Sequence, residues 1–154
     1  MAAPARAEDL AWGSGVKRVL MVDDSVTMRL MLRQTVEGPW PTAEITETGS
    51  TEEAEAYLAT QDTPMDLILL DCNLPGSNGL ALLDHLAQND THQGTPVVMV
   101  SAETENTVVI SALRKGARGY LTKPFDEEKL NRLLKEHLGP PAGETDEKDK
   151  AGAS

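Results

Sequence analysis

Two adjacent carboxylates, Asp23 and Asp24, a lone Asp71, a hydroxyl at Ser101 and an ammonium at Lys123 share one placement: each directly follows a short apolar run. If those runs are parallel strands of one open sheet, the five groups share the carboxyl edge, where such folds bind ligands. Three carboxylates in one crevice repel one another. Against them stands a single ammonium, so two negative charges remain, which one divalent cation would neutralise. Oxygen-only donors suit magnesium, and the acids have no His or Cys cluster beside them to suggest zinc. With that ion in place, the remaining parts meet the needs of phosphoryl transfer. Asp71, alone at the end of its run, is the natural nucleophile and would become an acyl phosphate. Lys123 offers a compact positive charge to the incoming group, and Ser101 a hydroxyl hydrogen bond to one of its oxygens.

The elements that would position these groups alternate along the chain. Strands are expected over 18–22, 43–48, 66–70, 96–100 and 119–122. Helices are expected over 26–36, 51–59, 80–88, 104–115 and 127–138. Ser25 and Asp126 are suited to N-caps, and Gly116 should close the fourth helix after Arg114-Lys115. The third run, Leu67-Ile68-Leu69-Leu70, is apolar on both faces and belongs in the centre of the sheet. Five strands alternating with five helices, without internal repeat, describe a doubly wound parallel α/β sheet in a single domain. Residues 1–16, rich in Ala, Pro and Gly, read as a flexible tail; residues 139–154, with Glu144, Asp146, Glu147 and Asp149, read as a flexible acidic one.

Bulk composition narrows the function. With 14 Lys and Arg against 25 Asp and Glu, the net charge is -11, which disfavours a phosphodiester-binding surface and hence nucleic acid. The apolar runs are strand length, so membrane insertion is not expected. One cysteine, Cys72, cannot make an internal disulfide, and no signal peptide opens the chain, which together point to the cytoplasm. Cys72 reads as a loop or packing residue, Met28 and Met31 as core and helix-face filler, and Gly76 and Gly79 as turn glycines. His85, His92 and His137 are expected to face solvent.

Four segments carry a resemblance: VDDS at Val22 to Ser25, LLDCNLPGSNG at Leu69 to Gly79, VSAE at Val100 to Glu103 and YLTKPF at Tyr120 to Phe125. Their order and spacing resemble the response-regulator receiver family over residues 17–138. The resemblance implies a flavodoxin-like, CheY-like fold and a phosphoryl group accepted on Asp71 from a histidine kinase or phosphohistidine donor. It implies magnesium held by Asp24, Asp71 and the backbone carbonyl of Asn73, with Asp23 acting through a water. It further implies a switch in which Ser101 moves toward the phosphoryl group and Tyr120 swings inward, and a cis Lys123-Pro124 bond.

The family's chemistry is autophosphorylation rather than turnover of a substrate, and its output is altered protein binding. Since no effector domain follows Leu138 in the sequence, a stand-alone regulator is expected. Val26 to Arg29, Asn73 and Ala102-Glu103 resemble chemotaxis regulators of the CheY type, which act on the flagellar motor switch. A relay intermediate, a phosphate sink and a signalling adaptor are the alternatives. Asn73 and Glu103 occupy places where the family tunes water access, which implies a fairly short-lived phosphoryl state. A haloacid-dehalogenase phosphatase would want an acid where Asn73 stands, a flavodoxin would want a phosphate cradle where Asp23-Asp24 repels, and a nonphosphorylated scaffold would not need the full set of site residues.

Overall fold

Strand β1 (Arg18–Val22) is buried almost throughout because it lies between two neighbours, β2 (Glu44–Thr48) and β3 (Leu67–Leu70). Beyond β3 come β4 (Val97–Ser101) and β5 (Gly119–Thr122), giving the order β2-β1-β3-β4-β5 with every pair parallel. The expected five-stranded, doubly wound sheet is therefore present, with β3 at its centre. A computed structural model supplies this description for residues 16–141. Apart from 16 and 139–141, the two expected tails lie outside the described residues.

Since neighbouring side chains on a strand point to opposite faces, the apolar runs feed two cores. Leu20, Val22, Ile68, Leu70 and Met99 meet α2 (Thr51–Ala59), α3 (Gly79–Ala87) and α4 (Asn106–Arg114) through Leu58, Leu82 and Ala112. Val19, Met21, Leu67, Leu69 and Val98 meet α1 (Val26–Glu37) and α5 (Glu127–Leu138) through Leu32, Leu130 and Leu134. Each fully buried Leu contributes roughly 1.5–3 kcal/mol of transfer free energy. The sheet is thus anchored from both sides.

Local chemistry sets most helix starts. Ser25 Oγ accepts from Met28 N at 3.1 Å and Asp126 Oδ1 from Glu128 N at 2.8 Å, as expected for caps. Ser50 and Asn78 cap α2 and α3 in the same way. Helix α4 is shorter than its apolar spacing suggests, beginning at Asn106 rather than 104. Glu105 is extended, with no side-chain cap, and the preceding Glu103 is held by bonds to Ser101 and Tyr120. These bonds therefore keep residues 104 and 105 out of the helix. At the other end Gly116 has φ of 112°, which suits glycine, as the sequence anticipates.

Two surface expectations fail. His92 is 1% exposed, with Nε2 3.0 Å from the Leu58 carbonyl, because the turn after α3 tucks its ring against the end of α2. His137 is half-buried, and burial lowers its pKa. Met31 is 45% exposed, since only Met28 of the pair turns toward the sheet.

Candidate functional site

Backbone bonds continue past the strands and align their ends. Asp23 N donates to the Thr48 carbonyl at 3.0 Å, Asp71 N to the Val22 carbonyl at 2.9 Å, and Lys123 N to the Ser101 carbonyl at 2.9 Å. These bonds draw the sequence-distant acids and the lysine to one edge. Each buried carboxylate then divides its oxygens. Oδ1 of Asp23 accepts from Ser25 N at 2.9 Å, and Oδ1 of Asp71 from Asn73 N at 3.0 Å, both two-residue turns that fix the side chain locally. Oδ2 of each is left for Lys123, whose Nζ donates to Asp23 at 2.8 Å and to Asp71 at 2.9 Å. The Lys123-Pro124 peptide is cis.

Asp23 and Asp71 are 2% and 4% exposed, whereas Asp24 faces solvent. One oxygen from each of the three lies within 4.8 Å of the others. No described residue donates a hydrogen bond to the Asp24 carboxylate. Burial alone would depress the Lys123 pKa, but its bonds to Asp23 and Asp71 more than offset that, so it lies above the ordinary lysine value. One ammonium among three carboxylates leaves the cluster negative, and the free donors are all oxygens. That donor set fits a hard divalent cation.

The backbone of the acidic turns is held as closely as the side chains. An added Cβ at Gly79 would stand 2.2 Å from the Asp71 carbonyl oxygen, while Gly79 N donates to the Cys72 carbonyl at 2.9 Å. Only glycine lets α3 start this close to the acid. Its role is close approach, not turn conformation, which belongs to Gly76 with φ of 75°. Arg29, which the sequence reading placed only in the resemblance to chemotaxis regulators and not in the site, donates to the Asp23 carbonyl and pairs with Glu47 at 2.9 Å. The available signal was a cation one helical turn beyond the acidic pair.

Ser101 is fully buried, and its Oγ accepts from Glu103 N at 3.1 Å rather than contacting the acids. Tyr120 points inward: its hydroxyl donates to the Glu103 carbonyl at 2.7 Å and sits 3.8 Å from Cys72 Sγ. Burial pushes the phenol pKa well above its usual range, and burial also raises that of the Cys72 thiol. Asn73 is exposed beside Asp71. All the expected side chains except Asn73 and Asp24 are at least partly buried at this one edge.

The family model described as the response regulator receiver domain matches residues 19–135. The chemotaxis protein CheY homolog of Campylobacter jejuni is 31% identical over 134 residues, covering 82% of this chain and 96% of that protein. Protein PilH of Pseudomonas aeruginosa is 36% identical over 117 residues, 76% of this chain and 93% of PilH. Among solved structures, chemotaxis protein CheY4 of Vibrio cholerae superposes with a TM-score of 0.70 at 28% identity, covering 80% of this chain and 100% of that one.

Proposed function

Because this chain belongs to the response regulator receiver domain family, we propose that it accepts a phosphoryl group on Asp71 and signals through altered protein contacts. The observation that carries the reading is Lys123 Nζ bridging Asp71 and Asp23, at 2.9 and 2.8 Å, beside the exposed Asp24. An oxygen of Asp71 attacks phosphorus, the phosphorus–nitrogen bond of a phosphohistidine donor breaks, and the donor imidazole leaves with that electron pair. Lys123 Nζ, already hydrogen-bonded to Asp71 Oδ2, pairs with the charge that arrives on the phosphoryl oxygens. Ser101, once released from Glu103 N, donates its hydroxyl to one of those oxygens. Asp24, Asp71 and the Asn73 carbonyl would hold magnesium, with Asp23 acting through a water; the ion supplies further neutralisation of the transferring group. Tyr120 is already inward on the Glu103 carbonyl while Ser101 is still turned to Glu103 N, so the Ser101 movement would act on the surface formed by α4, β5 and α5 by fixing this inward ring rather than by swinging it in.

The unit that does this spans 17–138 and acts as a phosphoacceptor rather than a turnover enzyme. A histidine kinase or phosphotransfer protein is the donor in this reading, and the cytoplasm the compartment. Among outputs, chemotaxis is favoured, because the chemotaxis protein CheY homolog aligns over 96% of its own length. The flagellar motor switch is then the target to test. No described helix is long and apolar enough to cross a membrane.

Incubation with acetyl phosphate and magnesium should add one phosphoryl group to the wild-type protein and none to Asp71→Asn, read by intact mass. Equal modification of the two proteins would overturn the assignment.

A further inference from the structure

Cys72 is the covalent neighbour of the proposed phosphoacceptor, yet its side chain faces away from the acids and into the core that holds Met99 and Tyr120. Its backbone is immobilised: the carbonyl accepts from Gly79 N at 2.9 Å and from Leu74 N at 3.2 Å, and the residue is 3% exposed. Its Sγ lies 3.8 Å from the Tyr120 hydroxyl. The same hydroxyl donates to the Glu103 carbonyl at 2.7 Å. The phenol is therefore held by a hydrogen-bond acceptor and in contact with a fixed small thiol. A sulfur at this distance is in ordinary contact with the hydroxyl, so a larger side chain at 72 must compete with the ring for the same packed space.

We propose that Cys72 is a positioning residue of the switch: the volume of the side chain at 72 sets the inward population of Tyr120 and, through it, the affinity of Asp71 for a phosphoryl group. This rests on the phosphoacceptor reading. Once Ser101 has moved to the phosphoryl group the inward ring fills the space it leaves, so whatever favours the inward ring favours phosphorylation by linkage. A larger residue at 72 would hold the ring outward and oppose phosphorylation although it touches neither metal ligands nor phosphoryl oxygens. Cys72→Ser, nearly the same size, should preserve the seat.

The full chain has two tyrosines, Tyr57 and Tyr120, so 3-fluorotyrosine labelling gives two fluorine resonances, assigned with Tyr120→Phe. In Cys72→Leu the Tyr120 resonance should move to a solvent-exposed shift without any ligand present. Beryllofluoride affinity should fall at least fivefold while magnesium affinity stays within twofold. Cys72→Val should show the same changes at smaller size, and Cys72→Ser should match wild type. In a Tyr120→Ala background, Cys72→Leu should change beryllofluoride affinity less than twofold. An unmoved Tyr120 resonance in both larger variants, or an equal affinity loss with and without the Tyr120 ring, would overturn the proposal. Failure of the wild-type protein to bind beryllofluoride would count against the phosphoacceptor function instead, and the fluorine spectra would still decide the seat.

Discussion

Two ion networks of almost identical bond length lie at different depths. Lys123 reaches Asp23 and Asp71 at 2.8 and 2.9 Å, while on the flank of β2 Glu47 accepts from Arg29 at 2.9 Å and Arg33 at 2.7 Å, with Glu37 closing the chain at 2.8 Å. The side chains of Asp23 and Asp71 are 2% and 5% exposed, those of Glu47 and Glu37 29% and 46%. The exposed network is balanced, two guanidiniums against two carboxylates, and water screens what it gains. The buried one is unbalanced, with Asp24 adding a third carboxylate to a single ammonium. Distance alone does not separate a structural pair from a functional one. Burial with a net charge does, because the uncompensated charge creates a standing demand for a cation or a transferring group.

Removing the central cation gives the sharpest contrast. Lys123→Met leaves two buried carboxylates without their ammonium and should cost about 3 kcal/mol in the absence of divalent ions, the lower end of the range for losing one partner of a buried pair. Urea unfolding reads that loss, and magnesium should restore more stability to the variant than to wild type. A cost below about 1 kcal/mol would place this network with the exposed one.

Alkaline pH probes the same bond more gently. The Lys123 pKa lies above 10.5 in the folded chain, so its contribution is complete below that value and is lost as pH rises through the folded-state pKa. The urea midpoint of the wild type should therefore fall from about pH 10.5 upward by more than that of Lys123→Met; Tyr120, also shifted upward, contributes equally to both proteins and cancels in the difference. On the acid side the exposed network behaves oppositely. Hydrogen bonds from Arg33 lower the Glu47 pKa, and the stability this confers is present above about 4.5 and fades as pH falls below it.

The smallest effect belongs to Glu47→Gln. It should cost no more than about 1 kcal/mol, and raising salt to molar strength should erase most of the difference, since exposed charges are screened within a few ångströms there. A larger, salt-insensitive loss would show that Arg29, through the Asp23 carbonyl, ties this ladder to the acidic turn.

The fold was readable because its pattern is local. Short apolar runs bounded by turn residues read as central strands, and Gly119–Thr122 and Glu127–Leu138 begin and end where their spacing says. Reading failed where a distant contact outweighed a local preference. Helix α4 starts two residues late where Tyr120, 17 residues on, holds the Glu103 carbonyl, and His92 was drawn under α2 by a carbonyl 34 residues away. At the site, the acids and Lys123 were legible from their positions after the strands, but Arg29 was not, since a helix cation after an acidic pair is ordinarily only solvated.

By itself, the sequence determined which chemical groups stand at strand ends and that the strands are parallel, because hydrophobic period and helix spacing are properties of neighbouring residues. Only the tertiary structure decided that Lys123 shares itself between two acids 100 and 52 residues away, that Gly79 lies against the Asp71 carbonyl, and that Cys72 faces Tyr120. Those are matters of register between strands and of contact across the sheet face, set when the whole core packs at once, and no local period encodes them.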